Sequence, residues 1–327
     1  MVRYGRSVWG PMKPQRIASL LASATEMLAG LGLSDRLVAV SHECDFPASV
    51  VAGKPRVTRT KVAAEATSAQ IDRQVRQCSA TGEALYEIDV DRLVELRPEV
   101  IVTQAQCDVC AVRYEDVLDV VENHESLSAT RVVALNPMTL GDIFDDLRRI
   151  GRETDSTIEA DRYVAALTER VEAVRRRTAA LPDARRPRVA CLEWIEPPML
   201  AANWMPELIL LAGGRPSLSK AGRHSSYTPW EAIVREDPDV LIVMPCGFDL
   251  QRTLVELAPL KQLGGWSSLR AVRQGRVFAV DGNAYFNRSG PRIVDSLEIL
   301  TQLIHPEQIA PPDFDQRDRP IWQRIDV

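Results

Sequence analysis

The stretch Asp89–Cys110, DVDRLVELRPEVIVTQAQCDVC, decides the fold because its pattern returns at Pro229–Leu250, PWEAIVREDPDVLIVMPCGFDL. Each stretch has a short helical pattern, a proline followed by an acid, a run of apolar and β-branched residues, and a loop containing cysteine. Pro98 and Pro238 act as stop signals, since proline lacks the amide hydrogen that continues a helix. The repeat predicts two halves built alike, each with a helix leading into a buried strand.

The beginnings of the two halves are alike more loosely. Residues 16–41, RIASLLASATEMLAGLGLSDRLVAVS, have the pattern strand, small-residue turn, helix, glycine, strand. Residues 188–214, RVACLEWIEPPMLAANWMPELILLAGG, have a strand and then a helix that ends at a glycine pair. Short apolar strands that alternate with helices predict parallel sheets covered by helices on both faces. We therefore expect an α/β fold with two small parallel-sheet lobes.

Residues 140–181 carry apolar positions at helical spacing with almost nothing that breaks a helix except Gly151. They predict one long backbone helix, kinked near that glycine, which joins the lobes. Ligands of open α/β sheets bind beyond the carboxyl ends of the strands, which predicts one ligand crevice between the lobes. The expected parts are an N-terminal tail (1–15), an N-terminal lobe (16–137), the connecting helix (138–183), a C-terminal lobe (184–310) and a C-terminal tail (311–327).

Composition and charge narrow the range of functions expected for the chain. The chain has 327 residues, of which 45% are hydrophobic, and a net charge of −5, with no basic stripe interleaved with aromatics, so nucleic acid is not an expected partner. No run reaches the roughly 18 apolar residues of a membrane span. The N-terminus lacks the apolar stretch of a secretory signal, which predicts a cytoplasmic protein, or a periplasmic or extracellular one if the true start lies upstream. The six cysteines are then expected to be thiols.

With these features in view, the chain resembles the helical-backbone (class III) substrate-binding proteins of ABC importers, and most of all those for vitamin B12. The resemblance rests on SLLASATEMLAGLG (19–32), SDRLVAVSHECDFP (34–47), DRLVELRPEVIV (91–102) and YFNRSGPRIVDSLEIL (285–300). It implies two lobes on one long helix with cobalamin or a related corrinoid held between them. The implied partner is an ABC importer or a corrinoid-using enzyme, and the cysteine-rich loops suggest a cytosolic branch of the group.

The loop SHECDFP (41–47) should open onto the crevice because it follows an apolar strand. His42 and Cys44 offer a nitrogen and a thiolate to cobalt or another metal, while Glu43 and Asp45 accept hydrogen bonds from ligand amides. The alternative is that His42 satisfies a backbone group at the strand end. In the preceding helix, Ser23 or Thr25 is expected to act as a cap, which would leave amide groups available to a ligand rim.

Cys107 and Cys110 have the C-x-x-C spacing of zinc sites and of redox pairs. A zinc site needs four ligands, and His42 with Cys44 would complete the set of metal candidates. A redox pair belongs at a helix N-terminus, and a helical pattern follows directly. A place in the crevice wall is favoured over both of these, and inert packing stays as a further alternative.

Aromatic residues cluster in loops of the second half. Wide apolar faces of a corrin suit indole and phenol rings, and its amide rim needs scattered polar partners. Trp230 and Trp266 begin or precede helices and are assigned to the core. The predicted ligand contacts of this half are Glu193, Trp194, Trp204, Tyr227, Cys246, Phe248, Tyr285, Phe286 and Arg288.

No nucleophile elbow, phosphate-binding loop or zinc-protease motif is present, so a binding protein is expected rather than an enzyme. The leading hypothesis is a binding protein for cobalamin or a related corrinoid, acting in handling or delivery. One alternative is a thiol-dependent enzyme that processes a corrinoid or a metal through Cys44, Cys107 and Cys110. Another is a protein of an ABC importer that binds a metal ion or a metal–siderophore complex.

Overall fold

A computed structural model describes residues 15–63, 65–105, 111–306 and 320–326. These residues form two compact units, which we call the first and the second unit. The first contains the described residues up to Arg59 with those of Ile88–Leu135 and Leu147–Asp161, and the second contains those of Thr60–Glu87, Asn136–Asp146 and Arg162–Val327. Residues 60–87 thus belong to the second unit although they precede most of it in the chain.

The first unit is built on a parallel sheet, as the alternation of strands and helices predicts. Its strands pair in the order β2-β1-β5-β6, and each neighbouring pair is parallel. Every residue of β1 and β5 is buried, which explains the apolar residues at the start of each strand, although Ser19, Thr103 and Gln104 at their carboxyl ends are polar. The strands of the first half of the chain are β1 (Ile17–Ser19), β2 (Leu37–Val40), β3 (Thr58–Thr60), β4 (Tyr86–Ile88), β5 (Val100–Gln104) and β6 (Arg131–Leu135).

Helices alternate with these strands. The helices of the first half are α1 (Ala22–Gly30), α2 (Ala48–Val51), α3 (Ser68–Thr81), α4 (Val90–Leu96) and α5 (Tyr114–Glu122). Of these, α3 belongs to the second unit. It begins with a capping box in which Thr67 and Gln70 each bond the other's backbone amide.

The second unit contains a mixed sheet with a parallel centre. Its order is β10-β8-β7-β11-β12-β13, with β9 also pairing with β7. The central strands β7, β11 and β12 are parallel to one another, whereas β8, β10 and β13 pair in antiparallel fashion. The strands are β7 (Arg188–Trp194), β8 (Met199–Leu200), β9 (Arg215–Pro216), β10 (Ser226–Tyr227), β11 (Val240–Val243), β12 (Val277–Val280) and β13 (Trp322–Arg324).

The core of the second unit lies between this sheet and its helices. Trp230 and Trp266 stack there with their ring centroids 6.1 Å apart, which confirms their assignment to the core. The helices of the remaining chain are α6 (Leu140–Glu153), α7 (Thr157–Ala179), α8 (Met205–Leu211), α9 (Trp230–Glu236), α10 (Leu250–Val255), α11 (Ala258–Lys261), α12 (Arg270–Arg273) and α13 (Ile293–Ile304).

The repeated helix–proline–strand unit is confirmed in both halves. Helix α4 leads into β5 and α9 leads into β11. Each helix ends at a residue in the left-handed conformation directly before the proline, Arg97 with φ 45° and Asp237 with φ 48°. The amide of each of these residues bonds to the carbonyl four residues earlier, which closes the helix before the proline stops it.

The predicted single connecting helix is divided in the structure into α6 and α7. Asp155 adopts φ 53°, and the amide of Ser156 reaches back to the carbonyl of Gly151 at 2.7 Å, so the helical ladder ends there. The break lies after Gly151 rather than at it. A Cβ on that glycine would overlap Ala160 of α7, so Gly151 allows the two helices to pack closely.

Because the central strands of each sheet are parallel, the end of the sheet at which they begin differs chemically from the end at which they finish. The edge at which the parallel strands finish is called here the carboxyl edge, and the edge at which they begin the amino edge. In the first unit the segments that follow β1, β2, β5 and β6 leave from the carboxyl edge. In the second unit the segments that follow β7, β11 and β12 do so. Most predicted contact residues lie on these segments.

Candidate ligand site

His42 and Glu43 lie at the carboxyl edge of the first unit, directly after β2. The His42 Nδ1 atom lies 2.7 Å from the Thr58 hydroxyl, and its Nε2 atom lies 3.2 Å from a Glu43 carboxylate oxygen. The Arg56 guanidinium donates to the carbonyls of Ser41 and His42 and holds the loop against β2. The His42 side chain is 18% exposed and that of Glu43 43%. The Thr58 hydrogen bond therefore orients the imidazole, and the side chain is partly exposed although its Nε2 atom is buried.

Cys44 and the predicted capping residues lie in the interior instead. Cys44 and Thr25 have no exposed surface, and the Thr25 hydroxyl lies 3.0 Å from the Cys44 sulfur and 2.8 Å from the Ser19 hydroxyl. The prediction that Ser23 or Thr25 caps α1 is wrong, since the helix begins at Ala22 and both residues lie inside it. Cys44 packs with the apolar residues Ala22, Val40 and Val51, whereas its neighbour Asp45 is exposed.

The thiol pair cannot be placed in this way. Cys107 and Cys110 lie outside the described residues, and β5 ends just before them at Gln104. Among the described residues, no group of three or more histidines, cysteines and acids is arranged to hold a metal ion. Burial raises the pKa of the Cys191 thiol to about 12, which keeps that cysteine protonated and unreactive.

An aromatic stack occupies the carboxyl edge of the second unit. Trp194, the last residue of β7, lies 5.4 Å from Phe248, which follows β11, with the ring planes tilted by 56°. The Arg252 guanidinium covers the Phe248 ring at 3.8 Å and also donates to the carbonyl of Ala66. The indole Nε1 of Trp194 is buried and has no hydrogen-bond partner among the described residues. We call Trp194, Phe248 and Arg252 the aromatic stack.

Glu193 lies beside this stack and is held by its own unit. The hydroxyl of Ser225 donates to a Glu193 carboxylate oxygen at 2.6 Å and accepts the amide of Ala202 at 3.0 Å. Burial raises the pKa of Glu193, and the Ser225 hydrogen bond opposes that rise. The carboxyl group therefore favours its neutral form more than an exposed glutamate does. Cys246, which is half-buried, donates its amide to the carbonyl of the same Glu193.

The aromatic residues of the segment after β12 are buried inside the unit. Gly282–Phe286 forms a π-helical turn, a form that often occurs at functional sites. Phe286 is fully buried, and its carbonyl accepts the Trp204 indole N–H at 3.0 Å. Tyr285 is also buried and lies under the Arg292 guanidinium. Arg288, 8% exposed, donates to the side chain of Asn283.

Tyr227 is the most exposed of the predicted aromatic contacts, at 48%. Its hydroxyl bonds to Asp72 of α3, and the Arg76 guanidinium lies 4.5 Å above its ring while pairing with Asp72 at 2.8 Å. A second link joins α3 to the same unit, since Glu256 accepts both the amide and the hydroxyl of Ser68. Tyr227 therefore anchors α3 in this structure.

Sequence reasoning missed Arg252 and the residues of α3. Arg252 follows Phe248 by four positions on the chain, and this spacing was a usable signal for a ring and a cation on one side. Asp72 and Arg76 had no such signal, because more than 150 residues separate them from Tyr227.

Comparison with known proteins identifies the family of this chain. A model described as periplasmic binding protein matches residues 17–284. The chain belongs to this family. Its mixed α/β fold with parallel sheets is that of periplasmic binding proteins, as the sequence resemblance predicted.

A relative and two solved structures are similar over nearly the whole chain. The chain is 19% identical over 298 residues to the uncharacterized ABC transporter substrate-binding lipoprotein YvrC of Bacillus subtilis (strain 168), covering 90% of this chain and 81% of that protein. The periplasmic vitamin B12-binding protein BtuF of Vibrio cholerae has 18% identity and a TM-score of 0.66, covering 90% of this chain and 98% of its own. The periplasmic heme-binding protein RhuT of Roseiflexus sp. RS-1 has the same identity, TM-score and coverage.

At an identity of 18%, the similarity to the solved structures is evidence of the fold alone. The family is one of substrate-binding proteins and not of enzymes, which agrees with the absence of catalytic motifs in the sequence. No helix among the described residues is long and apolar enough to span a membrane. The prediction of a cytosolic branch gains no support, since the Bacillus relative is a lipoprotein.

Proposed function

We propose that this substrate-binding protein takes a flat, metal-bearing macrocycle of the corrinoid class, with cobalamin as the first candidate, and delivers it to an ABC importer outside the cytoplasm. Family membership supports the transport role. The likeness to a vitamin B12-binding protein supports the ligand class, and the likeness to a lipoprotein supports the location.

The observation that carries the ligand class is the aromatic stack, in which the Trp194 indole has no hydrogen-bond acceptor among the described residues. Leaving the Trp194 N–H buried without an acceptor costs about 1–3 kcal/mol, so a ligand that supplies an acceptor recovers that energy. The side chains of a corrin rim end in amides, whose carbonyls are suitable acceptors. The rings of Trp194 and Phe248 would meet its apolar face.

Neighbouring groups suit a ligand that is neutral in most of its rim. Burial raises the pKa of Glu193, so its carboxyl loses a proton less readily than an exposed glutamate does. The Arg252 guanidinium already covers one face of Phe248, and it brings a charge for a phosphate or carboxylate at the ligand's edge. Small-molecule sites are mostly apolar with a few placed polar groups, and the stack has this composition.

Absorption spectroscopy with hydroxocobalamin, followed by co-elution on a sizing column, tests the proposal. We expect saturable binding by the unmodified protein and about tenfold weaker binding by Trp194→Phe, which keeps a ring but removes one neutral hydrogen bond worth roughly 1–1.5 kcal/mol. Trp266→Phe is the matched control, because Trp266 packs in the core of the same unit. Absence of binding, or equal loss in both variants, contradicts the proposal.

Heme is a second candidate, and a specific feature of His42 favours it. A histidine that ligates a metal usually bonds its other ring nitrogen to a fixed partner, which sets the tautomer. The Nδ1 atom of His42 has such a partner in Thr58, and its Nε2 atom points toward Glu43. An iron porphyrin, like a corrin, has wide apolar faces that aromatic rings can cover.

Titration with hemin separates the two candidates. If heme is the ligand, the unmodified protein gives a shifted Soret band, and His42→Ala loses that shift. His124→Ala is the control, since His124 belongs to the same unit and its Nδ1 atom bonds the local backbone carbonyl of Val120. Tight binding of hydroxocobalamin with no Soret shift favours the corrinoid.

The remaining sequence hypotheses stay predictions. A thiol-dependent enzyme requires reactive cysteines, but Cys44 is buried against Thr25, and Cys107 and Cys110 lie outside the described residues. Turnover of a cyano-corrinoid that is lost in Cys107→Ser would support it. Elemental analysis of protein purified without chelator tests the metal-binding alternative. The ligand crevice between two lobes also stays a prediction.

A further inference from the structure

A cavity of about 430 Å³ opens at the amino edge of the second unit, away from the segments that follow β7, β11 and β12. Its wall includes the residues that begin or precede the strands, together with the end of α13. Its volume lies within the roughly 300–1,000 Å³ of small-molecule sites. Six arginines line it: Arg185, Arg186, Arg188, Arg215, Arg270 and Arg276.

Part of this arginine cluster completes helix ends. Arg188 donates to the carbonyls of Glu236 and Asp237 at the end of α9, at 2.6 and 2.8 Å. Arg276 donates to the carbonyl of Ile304 at 2.7 Å, at the end of α13. Helix C-termini gather at this edge because a helix that connects two parallel strands runs opposite to them. Cations are favoured there by the helix dipole.

The helix ends do not balance the charge of the cluster. Three carboxylates lie close to these arginines, namely Asp183, Asp237 and Asp239. Six guanidinium groups against three carboxylates leave three positive charges. The ends of α7, α9 and α13 each supply roughly half a negative charge. Between one and two positive charges therefore stay without compensation.

The surroundings of His305 agree with this excess. Burial lowers the pKa of His305, and the positive charges of Arg276 and Arg186 lower it further, against the opposing effect of its bond to the Gly213 carbonyl. Burial also lowers the pKa of the Arg276 guanidinium. The cavity thus penalises an additional positive charge, as an anion site does before its ligand arrives.

We infer that this arginine-lined cavity binds a phosphate group, carried either by a free phosphate compound or by a lipid headgroup. A phosphate carries between one and two negative charges at neutral pH, which matches the uncompensated charge. The planar fork of arginine pairs with two phosphate oxygens at once. The cavity lies at the opposite edge of the sheet from the aromatic stack, so the inference does not depend on the transported ligand.

Two exposed arginines allow a test that leaves the fold intact. Arg185 and Arg215 are exposed, whereas Arg276 closes a helix end and is unsuitable. The test protein is the double variant Arg185→Gln, Arg215→Gln. The control is Arg162→Gln, which removes one positive charge, half of what the double variant removes, from an exposed site on α7 seventeen residues, about 26 Å, before the helix end.

Calorimetric titration with inorganic phosphate, at ionic strength held constant with chloride, is the first arm. Flotation with phosphatidylcholine vesicles, with and without phosphatidic acid, is the second. We expect the unmodified protein and the Arg162→Gln control to bind in at least one arm, and the double variant to bind at least tenfold more weakly. The binding arm identifies the source of the phosphate. Binding in neither arm, or equal weakening in the control, overturns the inference.

Discussion

Replacing Gly282 with alanine tests how the carboxyl edge of the second unit is assembled. The segment after β12 crosses the segment after β11 at this glycine, and a Cβ there would lie 2.7 Å from the carbonyl carbon of Met244 and closer still to the Pro245 oxygen. Both neighbours are backbone atoms, which cannot turn aside as a side chain can. The two segments must therefore separate.

The magnitude follows from three contributions. Overpacking costs typically about 1–3 kcal/mol. Separation of the segments also strains the bonds from the Asn287 amide to the Met244 carbonyl and from the Asn283 N–H to the Phe248 carbonyl, each worth about 1 kcal/mol. Alanine recovers about 1 kcal/mol over glycine in a helical turn. We expect a net loss of roughly 2–4 kcal/mol, since the steric and hydrogen-bond contributions exceed the gain in propensity.

Thermal unfolding measures this loss. At roughly 2 °C per kcal/mol for a chain of this size, Gly282→Ala should melt about 4–8 °C below the unmodified protein and bind hydroxocobalamin more weakly, because Phe248 moves with the segment. Gly264→Ala is the control, since a Cβ on Gly264 meets no atom within 4 Å. If both variants melt together with the unmodified protein, the close crossing at Gly282 is refuted.

Three further predictions concern charge and hydrogen bonding in the second unit. Burial raises the pKa of Glu193 in the folded protein, so the free energy of unfolding falls as pH rises from the unfolded pKa of about 4.3 to the folded value. Urea midpoints measured across this pH range should show that decline in the unmodified protein and not in Glu193→Gln. The control variant Glu196→Gln, at an exposed site, should keep the decline. Arg170→Met should cost about 1 kcal/mol at neutral pH, since solvent screens the 40% exposed guanidinium, and less in acid, where Asp295 is protonated without its partner. Tyr227→Phe removes a hydrogen bond to α3 and should speed amide exchange of α3 in hydrogen-exchange mass spectrometry, with unchanged exchange contradicting this anchor.

The repeated stretch predicted its own structure well because its signals are local. In both copies the apolar run, the proline and the acid lie within a few residues of one another, and the helix and strand ends follow from them. The division between α6 and α7 could also have been predicted. Ser156 and Glu159 have the S-x-x-E spacing typical of a helix start, and α7 begins at Thr157, directly after Ser156.

The site residues were harder to predict because position on a loop does not decide burial. Cys44 and His42 are two residues apart after β2, yet the thiol lies in the interior and the imidazole is partly exposed. The ring of Phe286 was a plausible contact by composition, but its full burial depends on packing against residues far along the chain. Such differences arise from tertiary contacts, which the sequence pattern of one loop does not contain.

The two edges of the second sheet illustrate why one α/β unit can carry two kinds of site. At the carboxyl edge the chain leaves the hydrogen-bonded sheet, and aromatic rings such as those of Trp194 and Phe248 lie there. At the amino edge helix C-termini converge, and their carbonyls require cations such as Arg276. An edge that needs arginine for its own stability gains a positive field once more arginines are present than the helix ends neutralise. Stability and anion binding should therefore separate by position, with Arg276→Gln lowering the melting temperature and Arg185→Gln lowering phosphate affinity alone.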